Sequence, residues 1–81
     1  MNRNDARALI LAELGNIAPE ADFATLDPQA DLREALDIDS LDFLNFIVAV
    51  HKKTGVNVPE SDYRKMLSLE GAVTYLTEKS K

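Results

Sequence analysis

At 81 residues, with 46% hydrophobic residues, three glycines, three prolines and a net charge of −5, the chain suits one ordered domain, residues 1–81, whose thin core covers roughly 60% of the surface the unfolded chain exposes. Having no cysteine, it offers no disulfide, thiolate metal site or cysteine nucleophile, so thiol chemistry has to be brought in from outside. The longest apolar runs, Ala8–Ala12 and Phe46–Val50, are too short for a membrane span or a secretion signal, and a cytoplasmic protein is expected.

Asn4 is a predicted N-cap for a first helix that runs through Leu14 and stops at Gly15. Ala6, Ile10 and Leu14, with Leu11 beside them, form an apolar stripe that other helices must cover. From Asn16 to Asp31 the apolar residues Ile17, Phe23 and Leu26 follow no sustained period. A long loop is predicted there, and Phe23 and Leu26 are its candidate anchors.

This loop opens an acidic block. Residues 20–42 carry eight acids and one base, Arg33, a net of −7 that leaves +2 for the rest of the chain. Such a field repels nucleic acid and anionic membranes and steers basic surfaces toward the middle of the chain, although a solvated acidic face is the plainer reading of the charge alone.

Asp39-Ser40-Leu41-Asp42 reads as a helix start, with an aspartate cap and a second acid at the third helical position. The central helix then runs to about Lys53, with Lys52 and Lys53 in the cation-favouring last turn and Gly55 as terminator. Its apolar residues, Leu41, Phe43, Leu44, Phe46, Ile47, Val48, Ala49 and Val50, exceed what one buried face takes. Part of this surplus is expected on the surface for partner contact, unless other segments wrap the helix.

Val56-Asn57-Val58 is a short extended stretch, Pro59-Glu60 starts a short helix with Tyr63 and Met66, and Ser68 caps a last helix with Leu69, Val73 and Leu76 inward. Thr77 to Lys81 is predicted to fray. The prediction is an all-α, small four-helix bundle: three longer helices, a short third one, and a long loop between the first two.

Ser40 invites a test as a nucleophile. The only histidine, His51, lies 11 positions along the same helix, ~16 Å away at 1.5 Å per residue, and no Gly-x-Ser-x-Gly elbow surrounds the serine. Catalysis is therefore not expected, and His51 reads as a helix-end residue. Asp37, Asp39 and Asp42 lack the further ligands and glycine of a calcium loop, so no metal site is assigned. What remains for Ser40 is to accept a group attached by another enzyme. A phosphodiester in the first turn lies near unpaired amides and the positive helix end, whereas an unmodified first-turn serine is simply a polar helix start.

Asp37-Ile38-Asp39-Ser40-Leu41-Asp42 resembles the phosphopantetheine attachment motif of acyl carrier proteins. The resemblance extends to Leu32 and Leu36 before the serine, to Val56-Asn57-Val58-Pro59 at the entry to the short helix, and to Ala72-Val73-Thr74-Tyr75-Leu76 in the last one. It implies a cytosolic monomer in which a phosphopantetheinyl transferase attaches 4′-phosphopantetheine from coenzyme A to Ser40, so that acyl groups ride as thioesters on the arm's thiol. It also implies acyl-loading and acyl-processing partners that touch Leu41 and Leu44, and the acidic block adds the expectation that their docking surfaces are basic and meet the corner formed by Asp37, Asp39 and Asp42.

Two departures from that family stand out. Asp37 occupies a position where the family usually has glycine, suggesting a differently shaped approach to the serine. Asn45, His51, Lys52 and Lys53 stand in stretches where fatty-acid carriers have glutamates. Phe43 reads either as core or as an added apolar contact. The expectation is an acyl carrier of a specialised lipid or polyketide pathway, beside two alternatives: an aminoacyl or peptidyl carrier, and an unmodified helical interaction module.

Overall fold

The computed structural model describes residues 1–80, and its first helix, α1, covers Arg3–Ile17. The cap is Asn2 rather than Asn4: the Asn2 side chain accepts the Asp5 amide at 2.8 Å, putting Asp5 at the third helical position beside the positive end. Gly15 does not stop the helix. Its backbone stays outside the left-handed region, and the Phe23 ring lies 4.0 Å from where its Cβ would stand, an ordinary van der Waals contact. The end comes before Pro19, where the Ala18 amide donates to the Leu14 carbonyl at 2.8 Å.

The predicted loop is more structured than its sequence suggests. It contains a 3₁₀ turn, Phe23–Thr25, and is followed by a short helix, α2, Leu32–Ala35. Four residues are too few to show a helical period, which is why α2 escapes the sequence reading. Phe23 and Leu26 are half-buried against the core, as anchors should be, and Leu32 is fully buried. Two backbone bonds tie this segment to the start of the last helix: Leu32 N–H to the Leu67 carbonyl at 2.7 Å and Glu70 N–H to the Pro28 carbonyl at 2.9 Å. The approach to Ser40 is thereby fixed to the body of the protein.

The central helix, α3, covers Ser40–Thr54 and ends on Gly55 at φ 74°, whose amide donates to the His51 carbonyl at 2.7 Å. It buries Phe43, Phe46, Ile47 and Val50. Phe43 thus belongs to the core, its ring centroid 6.1 Å from that of Phe46. The surplus emerges on the opposite side, where Leu41 is 65% exposed, Leu44 38% and Val48 41%.

A 3₁₀ helix, Glu60–Met66, leads to α4, Leu69–Lys79, capped by the Ser68 hydroxyl accepting the Gly71 amide at 3.0 Å. The predicted fraying does not occur through Lys79. The Thr77 hydroxyl donates to the Val73 carbonyl at 2.7 Å and that of Ser80 to the Leu76 carbonyl at 2.6 Å, while Lys81 lies outside the described residues. α1 packs on α4 and α3, and the 3₁₀ helix packs on α4, around Ile10, Leu14, Phe46, Met66 and Leu76. The architecture is the predicted all-α bundle, with four helices of seven or more residues among the described residues. Among the described residues no helix is long and apolar enough to cross a membrane.

Candidate functional site

The turn before Ser40 is set by hydrogen bonds closing α2. The Ile38 amide donates to the Arg33 carbonyl at 3.0 Å and the Asp37 amide to the Glu34 carbonyl at 3.4 Å, with Asp37 between them in the left-handed conformation, φ 53°. This pair of bonds is a Schellman cap, whose left-handed residue is most often glycine because any Cβ is crowded there. Aspartate is among the few other residues that visit this region with little penalty. Asp37 thus takes a backbone form that is also open to glycine, so the aspartate by itself does not require a differently shaped approach.

Asp39 then caps α3, its carboxylate accepting the Asp42 amide at 2.8 Å and its carbonyl accepting the Phe43 amide at 3.1 Å. The amides of Ser40 and Leu41, at the first two helical positions, take no acceptor among the described residues. Ser40 itself is exposed. An anion on its oxygen would stand at an exposed position beside two unpaired amides and the positive end of a 15-residue helix, opposed by the carboxylates of Asp39 and Asp42. These residues fit a covalently held phosphodiester.

His51 sits at the far end of α3, where its Nδ1 lies 3.1 Å from the Val56 carbonyl. A carbonyl only accepts, so Nδ1 carries the proton and the ring pins the chain that follows Gly55. It has no role at Ser40. Asp37, Asp39 and Asp42 do not form a metal-holding group among the described residues.

The acids divide by what they touch. Asp22, Asp27 and Asp31 each accept the backbone amide two residues on, at 3.0, 2.9 and 2.9 Å, holding the turns that the sequence left as a plain loop. Arg33, the one base in the block, is held by Asp31 at 3.1 Å, and its hydrogen bonds keep the Asp31 carboxyl below its usual range. Asp37 and Asp42, with Glu20, Asp22 and Asp27, line a cleft of about 680 Å³ beside the start of α3, and no base lines it. The sequence showed the acidic block but not this partition, because the turn bonds depend on spacings of two residues that only the folded loop makes meaningful.

Comparison with known proteins agrees with this geometry. A family model described as "Phosphopantetheine attachment site" matches residues 7–76. The chain belongs to this family, that of the acyl carrier proteins. Acyl carrier proteins similar to it include one from Nitratidesulfovibrio vulgaris, 32% identical over 73 residues, covering 90% of each chain. One from Campylobacter hominis is 29% identical over 77 residues, covering 95% of this chain and 91% of that one, and one from Rubrobacter xylanophilus is 33% identical over 57 residues, covering 70% of each. Acyl carrier proteins hold a covalent 4′-phosphopantetheine and are carriers rather than catalysts.

Proposed function

We propose that Ser40 carries the 4′-phosphopantetheine and that the protein presents acyl groups to the enzymes of a specialised lipid or polyketide pathway. The observation that carries this reading is the exposed Ser40 at the first position of α3, with its own amide and that of Leu41 unpaired. When bound, the group supplies the thiol that the cysteine-free chain lacks, and that thiol holds the acyl chain as a thioester. The chain's own contribution is to anchor the arm at a rigid helix start, present it to solvent and raise its effective concentration at partners.

Partners in this reading, the phosphopantetheinyl transferase first, place basic surface against Asp37, Asp39 and Asp42 and apolar surface against Leu41 and Leu44. All five lie on the turn and the first turns of α3, and Leu41 and Leu44 are exposed. A cytoplasmic monomer is the setting that suits exchange among several enzymes. Intact mass after incubation with a broad-specificity transferase, coenzyme A and magnesium tests the proposal. A single phosphopantetheine mass gain, absent in Ser40→Ala, is expected; no gain with several transferases would favour an unmodified interaction module.

A further inference from the structure

Ser40 and His51 stand on one side of α3. At about 100° per residue, Ile47 and His51 fall within roughly 20° of Ser40 around the helix axis, and Leu44 within about 40°. Ile47, Val48 and His51 line a cleft of about 490 Å³ with Asn57, Val58, Pro59 and Tyr63. His51 is exposed there, and because Nδ1 donates to the Val56 carbonyl at 3.1 Å, the neutral ring offers Nε2 as an acceptor. Among the described residues no carboxylate lines this cleft, and Tyr63 is its one other titratable group. Lys52 and Lys53 follow on α3 but are rotated about 120° and 140° from Ser40.

A phosphopantetheine arm on Ser40 runs through about fourteen bonds from the serine oxygen to its sulfur, and at roughly 3.5 Å for every three bonds of extended chain it reaches ~16 Å. The same ~16 Å separates Ser40 from His51 along the axis at 1.5 Å per residue. We infer that His51, in the carrier role proposed above, is the contact for the far end of the arm: with the arm laid along Leu44 and Ile47, Nε2 accepts the proton of the thiol, and imidazolium and thiolate stand side by side. A neighbouring histidine cation lowers the pKa of a thiol, and the thiolate is the form that attacks an incoming acyl group. His51 thereby readies the thiol for loading while remaining remote from Ser40 itself.

The test reacts holo-protein with a small aryl disulfide across pH, in wild type and in His51→Gln. A thiol whose pKa is lower by about one unit has ~tenfold more thiolate at pH 7 but is a weaker nucleophile, with a slope of about 0.5. Wild type should therefore exchange about threefold faster than His51→Gln at pH 7 and about threefold slower once both thiols are fully ionised. Such a crossing of the two profiles is not produced by a loosened fold, and Lys52→Gln should follow wild type. In wild type alone, the His51 ring resonances should move when apo-protein becomes holo-protein, and should stay in place in Ser40→Ala given the same treatment. Superimposable pH profiles for wild type and His51→Gln overturn the inference, as do ring resonances unmoved by the arm; either result leaves the carrier role intact. Failure of wild type to gain the mass of the arm overturns the carrier role, and the inference with it.

Discussion

The Ile38 amide reaches back 3.0 Å to the Arg33 carbonyl over a left-handed Asp37, and this one bond decides how the chain enters the helix that bears Ser40. Asp37→Val should destabilise the protein by about 1–2 kcal/mol, the cost of a left-handed residue with a branched Cβ. Asp37→Gly should stay within about 0.5 kcal/mol of wild type, since relief at φ 53° is offset by the greater freedom glycine has when unfolded. Urea midpoints check both. Asp37→Asn keeps the turn and removes only the charge, so any loss of loading in that variant belongs to recognition.

Gly71 is demanded by packing rather than by its dihedral angle. A Cβ there would lie 2.4 Å from the Lys65 carbonyl oxygen and 2.9 Å from the Ser68 hydroxyl that caps α4. Backbone cannot yield as a side chain does, so Gly71→Ala should cost about 1–3 kcal/mol from overpacking, more than the roughly 1 kcal/mol that alanine gains in helix propensity. A fall in thermal midpoint checks this; a rise would show that the 3₁₀ helix and α4 separate easily.

Helices with a strong period or a clear cap were legible in the sequence: α3 from Asp39 to Gly55, α4 from Ser68, and the apolar stripe Ala6, Ile10, Leu14 of α1. Where two similar signals compete, the choice is tertiary. Asn2 and Asn4 are equal as caps, and Gly15 would end the helix only by turning left-handed, which it does not do. The expectation for Ser40 rests on its first-turn position together with the resemblance of Asp37 to Asp42 to the attachment motif of acyl carrier proteins. The left-handed backbone of Asp37 was not legible, because it belongs to the bonds that close α2, a helix too short to show a period.

The Tyr75 hydroxyl donates to Asp62 Oδ2 at 2.8 Å, joining α4 to the 3₁₀ helix. Burial first, then this hydrogen bond, pushes the Tyr75 phenol up to about 12 from an ordinary 10.0, and the same bond holds the Asp62 carboxyl below its usual 3.8. Because the folded phenol is the weaker acid, its contribution to stability is complete below pH 10 and is lost as pH rises toward about 12. The lowered carboxyl works the other way: its contribution is present above pH 3.8 and is lost as pH falls through the folded value. Tyr75→Phe should lose about 1 kcal/mol at neutral pH and show a flatter decline between pH 10 and 12, read from urea midpoints across pH.

Asp42 and Lys53 stand at opposite ends of α3, and the proposed docking corner predicts that they differ in loading. Asp42 is half-buried at the cleft beside Ser40, and its side chain, unlike that of Asp39, holds no backbone amide. Its charge is therefore free to face a basic transferase. Asp42→Lys should lower the kcat/KM for phosphopantetheine transfer about tenfold at low salt, with the gap narrowing as ionic strength rises, and Lys53→Glu should change it less than about twofold. Reversal of a first-turn acid also loses about 0.3–1 kcal/mol of helix-end stabilisation, so Asp42→Asn, which removes the charge without adding a cation, separates the effects. Equal losses in Asp42→Lys and Lys53→Glu would place the transferase along the whole helix rather than at its Ser40 end.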